Sequence, residues 1–201
     1  MTNVLRPPRG NLDGVEVRGE VLAGTVDAMG SYRARALVIL ERLGVTSVRA
    51  GQWYPLAALL TTFEKIEDAA GARAMRRVGA TVASTAVWPD GIDSLEAALS
   101  SIDVAYHMNH RRNGRELFDG ATGQIVEGGI GHDVFLPAKP GERTALYICG
   151  SFYPDQFDLG MAEVLANKFK PAGADKVTVE IDASKPIRAS GGATTTYVIR
   201  W

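Results

Sequence analysis

The chain has little of several features that would fix a function class at once. Its 201 residues include one cysteine, Cys149, so no disulfide can form within the chain, which fits a reducing compartment. No apolar run reaches the roughly 18 residues that span a bilayer. The formal net charge is -1, which gives no excess of positive charge for nucleic acid or for an acidic membrane surface. We therefore expect a cytoplasmic protein that binds neither nucleic acid nor membrane.

Length and composition indicate one folded domain behind a short arm. Hydrophobic residues make up 46% of the chain, enough for a substantial core. The opening stretch "MTNVLRPPRGNLDG" lacks the apolar core of a signal peptide. We expect a flexible N-terminal arm over residues 1–18 and a single domain over residues 19–201.

The first half of the chain shows the apolar spacing of helices. Ser31 is placed as the N-cap of a helix that Gly44 ends. Pro55 stands in the first turn of "YPLAALLTTFEKIEDAAG", and Gly71 separates this helix from the next. In "DGIDSLEAALSSIDVAYHMNH" the spacing predicts Asp93 as N-cap, followed by a capping-box glutamate.

The second half changes to short β-branched or aromatic segments separated by turn residues. A helix from about Asp155 to Lys170 is expected between two of them, and the strand from Lys176 should pair with the one that ends at Trp201. This order predicts an α+β fold with a helical N-terminal half packed on an antiparallel sheet and one crossing helix. The predicted strands are "QIVEGG", "DVFLP", "TALYICG", "KVTVEID" and "TTTYVIRW".

The stretch "FYPDQFDLGMAEVLANKF" opens the crossing helix. Asp155 follows a proline and stands where an N-cap belongs, and Asp158 lies in the first turn, where negative charge is favourable. We expect the acids to be structural and the aromatic residues Phe152, Tyr153 and Phe157 to carry ligand specificity. The alternative is that the two acids form a general acid/base pair.

The three histidines allow two interpretations. His107 and His110 are three residues apart, which would place both on one helix face, as a metal pair requires. Histidine at a helix C-terminus also complements the helix dipole, which is the commoner arrangement. His132 follows a glycine-rich turn and could complete a zinc site, but no further cysteine supports one. We expect no metal.

The order of four segments resembles a known family. "WYP", "PDGIDSLEAALSSIDVAYHMNHR", "FYPDQFDLGMAEVLANKFKP" and "VTVEIDASKPIRASGGATTTYVIRW" are similar to the 4-vinyl-reductase-type small-molecule-binding domains and their bacterial relatives, particularly myxobacterial paralogues. These domains belong with the haem–NO-binding (H-NOX) domains in one superfamily. The resemblance covers most of the chain after about Val21. It implies a ligand-binding α+β domain that is compatible with a homodimer.

The departures from the family pattern concern its metal and haem sites. Where the resembled domains often carry cysteines, this chain has Asp155, Ile187 and Thr195. In H-NOX domains a histidine near the middle of the chain ligates haem, and His107 falls in a similar region. The H-NOX motif Tyr-x-Ser-x-Arg reads "YICGS" from Tyr147, without the arginine. We therefore expect no cofactor, with haem kept as a disfavoured alternative.

These observations favour a small-molecule-binding or sensory domain with an apolar pocket between helices and sheet. One alternative is an enzyme acting on a small apolar or aromatic substrate, with His107 or His110 as general base and Asp155 or Asp158 as partner. A second alternative is a haem-based gas sensor that uses His107. The expected pocket-lining residues are Trp53, Tyr54, Tyr106, His107, Phe152, Tyr153 and Phe157.

Overall fold

The computed structural model describes residues 11–201. The α-helices are α1 (Gly19–Ala28), α2 (Arg33–Arg42), α3 (Leu56–Ala70), α4 (Ala72–Thr85), α5 (Leu95–Met108) and α6 (Asp155–Lys168). The strands are β1 (Val15–Arg18), β2 (Trp53–Pro55), β3 (His110–Arg112), β4 (Arg115–Glu116), β5 (Phe118–Asp119), β6 (Gln124–Ile125), β7 (Asp133–Leu136), β8 (Thr144–Cys149), β9 (Thr178–Ile181) and β10 (Thr195–Arg200). Among the described helices, none has the length and apolarity needed to cross a bilayer.

The strands form antiparallel sheets, as predicted. The larger sheet has the order β7-β8-β10-β9, and its central strands pair in the register Thr195 with Cys149 and Tyr197 with Tyr147. The predicted pairing of the strand after Lys176 with the last strand is confirmed by β9 and β10. A second sheet has the order β2-β1-β3-β4, and β5 pairs with β6 in a two-stranded ribbon. The fold is therefore α+β, with helices predominating in the first half.

Part of the expected N-terminal arm is an ordered strand. Val15 and Val17 are buried and alternate with more exposed neighbours, the period of a half-buried strand. Gly19 then starts α1 directly, and a Cβ atom there would lie 2.0 Å from the backbone oxygen of Arg49. Residues 11–18 thus differ from the expected arm, because the glycines and prolines around "VEVR" obscured its short alternation. Residues 1–10 lie outside the described residues.

Helix α6 lies between the two halves of the core. Its residues Leu159, Ala162 and Leu165 pack with Tyr147 and Tyr197 of the larger sheet, so the predicted crossing helix is confirmed. Phe157 of the same helix belongs instead to the cluster formed by the N-terminal helices and β1. The start of α6 therefore touches both halves of the domain.

Two glycines let α6 approach α4 closely. A Cβ atom on Gly79 of α4 would lie 1.9 Å from the backbone oxygen of Phe157. A Cβ atom on Gly160 of α6 would lie 1.9 Å from the backbone oxygen of Arg76. Each glycine thus faces the backbone of the other helix, and no larger residue fits at either position without moving the helices apart.

The helix caps differ from those that the sequence suggested. The hydroxyl of Ser94, not the carboxylate of Asp93, caps α5 by accepting a hydrogen bond from the backbone N–H of Ala97 at 3.2 Å. Pro154 is the N-cap residue of α6, and no side chain caps that helix. The expectation that Asp155 caps α6 is therefore wrong, and its carboxylate has other partners.

Candidate functional sites

Helices α3, α5 and α6 meet in a cluster of aromatic rings, here called the aromatic core. It contains Phe63, Tyr106, Tyr153 and Phe157. The ring of Tyr153 lies 5.8 Å from that of Phe63, 5.6 Å from that of Tyr106 and 5.3 Å from that of Phe157, measured between centroids. Three of the predicted pocket-lining residues are therefore brought together in one apolar region.

His110 joins the aromatic core from the first residue of β3. Its ring centroid lies 4.5 Å from that of Tyr106. Its Nδ1 lies 2.5 Å from the backbone oxygen of Tyr106, so Nδ1–H donates there and Nε2 is left as the acceptor. The hydroxyl of Tyr153 lies 3.3 Å from Nε2 and donates to it. Burial lowers the pKa of His110 to about 4, so a neutral imidazole directs a nitrogen lone pair into an apolar interior at neutral pH.

The hydroxyl of Tyr106 connects the aromatic core to two neighbouring segments. It donates to the backbone oxygen of Ile130 at 3.1 Å and accepts from the backbone N–H of Phe152 at 3.2 Å. Phe152 is partly buried against the same cluster of apolar residues. The stretch before α6 is thus fixed to α5 through a tyrosine hydroxyl.

Trp53 and Tyr54 have other surroundings. The ring of Trp53 lies beside two guanidinium groups, 5.1 Å from that of Arg18 and 4.8 Å from that of Arg111. The hydroxyl of Tyr54 accepts from the backbone N–H of Arg49 at 2.9 Å. Trp53 and Tyr54 therefore stabilise the sheet β2-β1-β3-β4 and the loop that precedes β2.

His107 differs from His110 in its partners. Its ring touches Tyr106 at 5.5 Å, but its Nδ1 lies 2.8 Å from the backbone oxygen of Asp103 and 3.3 Å from its carboxylate oxygen Oδ1. On its other side it stacks on His132, with centroids 4.7 Å apart and an interplanar angle of 23°. The two histidines that the sequence placed on one helix face therefore bond different groups, because α5 ends at Met108 and His110 already lies in a strand.

His132 lies between two carboxylates. Its Nδ1 is 3.1 Å from Oδ2 of Asp103, and its Nε2 is 2.9 Å from Oε1 of Glu127. The hydrogen bond to Asp103 raises the pKa of His132, with a further contribution from Glu127. Burial alone would raise the pKa of Asp103, but hydrogen bonds from His107, the backbone N–H of Asp133 and His132 together lower it.

Asp155 and Asp158 share one buried guanidinium. Arg188 donates from Nε to Asp155 at 3.0 Å and from Nη2 to Asp158 at 2.6 Å. Asp155 also accepts from the hydroxyl of Thr195 at 2.6 Å and from the backbone N–H of Ala189 at 3.0 Å. The carboxylate that the sequence suggested as a helix cap instead holds the loop before β10 against α6.

The buried network around Arg188 contains more carboxyl groups than positively charged groups. Burial raises the pKa of Asp158 to about 7, against the opposing effect of Arg188. Burial also raises the pKa of Asp133, which accepts from the hydroxyl of Tyr147 at 3.1 Å. The acids thus bond Arg188 and Tyr147, whereas His107 bonds Asp103. The His/Asp acid–base pair of the enzyme alternative is not formed in this arrangement.

The fold resembles that of H-NOX domains of known structure. No family model and no curated protein matches the chain. Among solved structures, an Fe(II) unliganded H-NOX protein variant from K. algicida is similar at a TM-score of 0.58 and 12% identity, over 92% of this chain and 96% of that one. An oxygen-binding H-NOX domain related to soluble guanylate cyclases, in its oxygen complex, is similar at a TM-score of 0.53 and 13% identity, over 91% and 94% of the two chains.

A third similar structure is that of a protein whose distortion of the porphyrin modulates the redox potential of haem. Its TM-score is 0.56 at 14% identity, over 92% of this chain and 99% of that one. Of these three proteins, one is a haem protein, one contains Fe(II) and one is in complex with oxygen. The expectation that the chain binds no cofactor is therefore wrong, because the structures that share its fold point to haem as the cofactor.

Among the described residues, His110 and Arg112 are those that would hold haem, through an imidazole nitrogen and a positive charge. His110 is neutral and buried, and its Nδ1 proton is held by a backbone carbonyl, the arrangement that fixes a histidine for binding a metal through Nε2. Arg112 lies two residues further on the same strand, hence on the same face, and its Nε is buried without a partner among the described residues. The position of the H-NOX motif arginine is Ser151, which already bonds Arg188 and Asp158.

Proposed function

We propose that this chain is a haem-binding sensory domain in which Nε2 of His110 holds the iron within the aromatic core. The observation that carries the proposal is a neutral, buried imidazole whose Nε2 accepts a hydrogen bond from a tyrosine hydroxyl among aromatic rings. The likeness in fold to H-NOX structures supports it. Haem would supply an iron centre able to bind a small gas ligand, and the protein would supply the axial donor and the apolar surroundings.

The assignment of His110 rather than His107 rests on what each nitrogen faces. Nδ1 of His107 donates to the backbone oxygen of Asp103 at 2.8 Å, as Nδ1 of His110 does to that of Tyr106, but the ring of His107 stacks on His132. Nε2 of His110 faces the hydroxyl of Tyr153, a neutral group that can rotate away. The proposal therefore replaces His107, the histidine suggested by sequence position, with His110.

The charged residues near the proposed site also indicate where the haem propionates would lie. Asp133, Asp155 and Asp158 surround Arg188 near the position of the missing motif arginine, and these acids would repel a propionate. Arg112, on the strand that carries His110, is the cation that would meet the propionates instead, in exchange for one of the bonds that its Nη1 and Nη2 now donate to the backbone oxygens of Gly128 and Asn11. This would be a different anchoring from the Tyr-x-Ser-x-Arg motif.

Reconstitution with haem tests the proposal. The purified chain is titrated with haem and followed by its Soret absorption, and we expect a saturable complex with the spectrum of histidine-ligated iron. His110→Gly should lose that spectrum, and added imidazole should restore it by occupying the vacated place. His107→Gly is the matched control and should retain it. A chain that gives no Soret band, or one that loses the spectrum in the His107 variant instead, contradicts the proposal.

The remaining features of the proposal rest on the sequence. We infer a cytoplasmic domain of the 4-vinyl-reductase type, related to the myxobacterial paralogues, from the order of its motifs. A homodimer formed through the helices follows from the same resemblance. Size-exclusion chromatography with light scattering on the haem-loaded chain tests the dimer, and a monomeric mass would refute it.

A further inference from the structure

Asp103, His107 and His132 form a second group of donor atoms, here called the Asp103 cluster, where α5 faces the loop before β7. The geometry points to a site in this cluster for a divalent transition-metal ion of the zinc class, held by one carboxylate and two imidazoles. One ligand atom from each of the three residues lies within 4.8 Å of the other two. This site is separate from His110, and it does not depend on haem binding.

The spacing of the donor atoms suits a shared ion. Asp103 and His107 are four residues apart on α5, so both side chains lie on one helix face. Oδ1 of Asp103 is 3.3 Å from Nδ1 of His107, and Oδ2 is 3.1 Å from Nδ1 of His132. Donor atoms bonded to tetrahedral zinc at about 2.0–2.1 Å lie about 3.3–3.4 Å apart. An ion bound there would displace two protons: the one on Nδ1 of His107, which now also points to the backbone oxygen of Asp103 at 2.8 Å, and the one between Nδ1 of His132 and Oδ2 of Asp103.

Protein contacts already hold the ligands in place. Gly131 has a φ of 85°, and a Cβ atom there would lie 1.9 Å from the backbone oxygen of Gly150, so the loop that carries His132 lies directly against the end of β8. The backbone N–H of Gly150 donates to the oxygen of His132 at 2.9 Å. The backbone N–H of Asp133 donates to Oδ1 of Asp103 at 3.0 Å. A metal would thus find its ligands ordered in advance, which favours binding.

Glu127 supplies an outer partner of the kind that metal-binding histidines use. Its Oε1 accepts from Nε2–H of His132 at 2.9 Å, which leaves Nδ1 of that ring to face Asp103 and the ion. The rings of His107 and His132 are stacked at 4.7 Å, so both can present Nδ1 to the same carboxylate. This carboxylate–histidine–metal order fixes the ring orientation and strengthens the ligand.

Charge and access also favour a dication. Asp103 and Glu127 together carry two negative charges, whereas one proton on His132 neutralises only one of them. The side chain of His107 is 1% exposed, that of His132 is 39% exposed and that of Glu127 is 81% exposed. The cluster is therefore closed by α5 and open to solvent on the His132 side. A solvent molecule could complete the coordination there, as at zinc sites that keep an open position.

Cobalt is the probe, because Co²⁺ takes zinc sites and its visible absorption reports coordination by nitrogen and oxygen. The metal-stripped full chain, free of haem, is titrated with Co²⁺, and then Zn²⁺ is added as competitor. We expect one cobalt ion per chain and its displacement by zinc. His132→Gln and Asp103→Asn should each weaken binding by at least about tenfold, and Glu127→Gln by about tenfold. Asp27→Asn, which changes an exposed carboxylate outside both sites, is the matched control and should bind cobalt as the parent does, and His110→Gln reports any cobalt held at His110 instead.

The rival account is that the cluster is a histidinium held between two carboxylates. That account is correct, and the metal site is refuted, if the chain binds no cobalt or if His132→Gln binds it as tightly as the parent does. Loss of cobalt binding in His110→Gln but not in His132→Gln would also refute the metal site in the Asp103 cluster. Circular dichroism checks folding, and His132→Gln decides the question if Asp103→Asn unfolds, because His132 lies in a partly exposed loop.

Discussion

The hydroxyl oxygen of Tyr153 lies 3.3 Å from Nε2 of His110, inside the aromatic core. Both groups are neutral there, because burial raises the pKa of Tyr153 and lowers that of His110. The contact joins the segment that leads into α6 to the first residue of β3. It also covers the nitrogen that the proposed haem iron would need.

Removing that hydroxyl should favour haem. In Tyr153→Phe the ring remains and Nε2 of His110 loses its donor, so we expect haem affinity to rise about fivefold, equivalent to about 1 kcal/mol for one hydrogen bond. Tyr106→Phe is the control, because its hydroxyl bonds Ile130 and the backbone of Phe152 rather than His110. It should lose stability without gaining affinity. Soret titrations of both variants give the measurement, and equal affinities would contradict the role assigned to Tyr153.

Acid should weaken the fold through His110. Its folded pKa of about 4 lies below the ordinary 6.5, so between these values the unfolded chain binds a proton that the folded chain does not, and stability falls as pH falls. From about pH 7 to about pH 5 this group should cost about 2 kcal/mol. Urea unfolding of the parent and of His110→Gln at both pH values isolates the effect. The same pH dependence in both proteins would show that His110 does not titrate in this way.

Asp158 should act in the opposite direction. Its folded pKa of about 7 lies above its ordinary 3.8, so the folded chain binds the extra proton between these values and gains stability as pH falls. Relative to the parent, Asp158→Asn should therefore become less stable when the pH is lowered from about 7 to about 5. The same urea experiment measures this, with Asp27→Asn as an exposed control that should follow the parent. A constant difference between Asp158→Asn and the parent would argue against a protonated Asp158.

Asp155→Asn should be clearly destabilising. The carboxylate accepts from Arg188, Thr195 and the backbone N–H of Ala189, and an amide would turn a donor toward one of them. We expect a loss of about 2–4 kcal/mol in the free energy of unfolding. The control Asp27→Asn removes only an exposed pair with Arg33 and should cost less than about 1 kcal/mol. Equal losses in the two variants would show that the buried network contributes little.

Gly160→Ala should disrupt the contact between α4 and α6. The added methyl would lie 1.9 Å from the backbone oxygen of Arg76, so the helices must separate, at a cost of about 2 kcal/mol or more despite the better helix propensity of alanine. Gly24→Ala in α1 meets nothing within 4 Å and should stabilise by about 0.5–1 kcal/mol. Thermal unfolding of both variants gives the comparison, and opposite signs are the expected result.

Local patterns predicted the regular elements well but not the partners of polar residues. The strands that became β8, β9 and β10 were apparent from their β-branched and aromatic residues between turns, although β8 and β9 alternate in burial whereas β10 is buried from Thr195 to Ile199. Asp155 had the local position of a helix cap, but its partner Arg188 lies 33 residues away in sequence, and no local pattern shows such a contact.

The candidate sites show the same limit. Tyr106, Tyr153 and Phe157 lie together in the structure, as aromatic residues at the junctions of elements commonly do, and their role as the lining of a pocket stays a prediction. His107 and His110 were placed on one helix face, whereas the helix ends between them, and His107 bonds Asp103 while His110 bonds Tyr106 and Tyr153. The signal that could have separated them is Asn109, the C-cap residue of α5, which makes His110 the start of a strand.

The position of β1 between β2 and β3 has a consequence for synthesis on the ribosome. Val17 pairs with Tyr54 on one side and with His110 on the other, so the second partner is made about ninety residues after the first strand. A nascent chain that has emerged only through α4 therefore exposes one unpaired edge of β1. Its helices also lack their packing partners Tyr106 of α5 and Phe157 of α6, which have not yet been made. The N-terminal half thus cannot complete its own core while it is being translated, and it must wait for β3 to emerge.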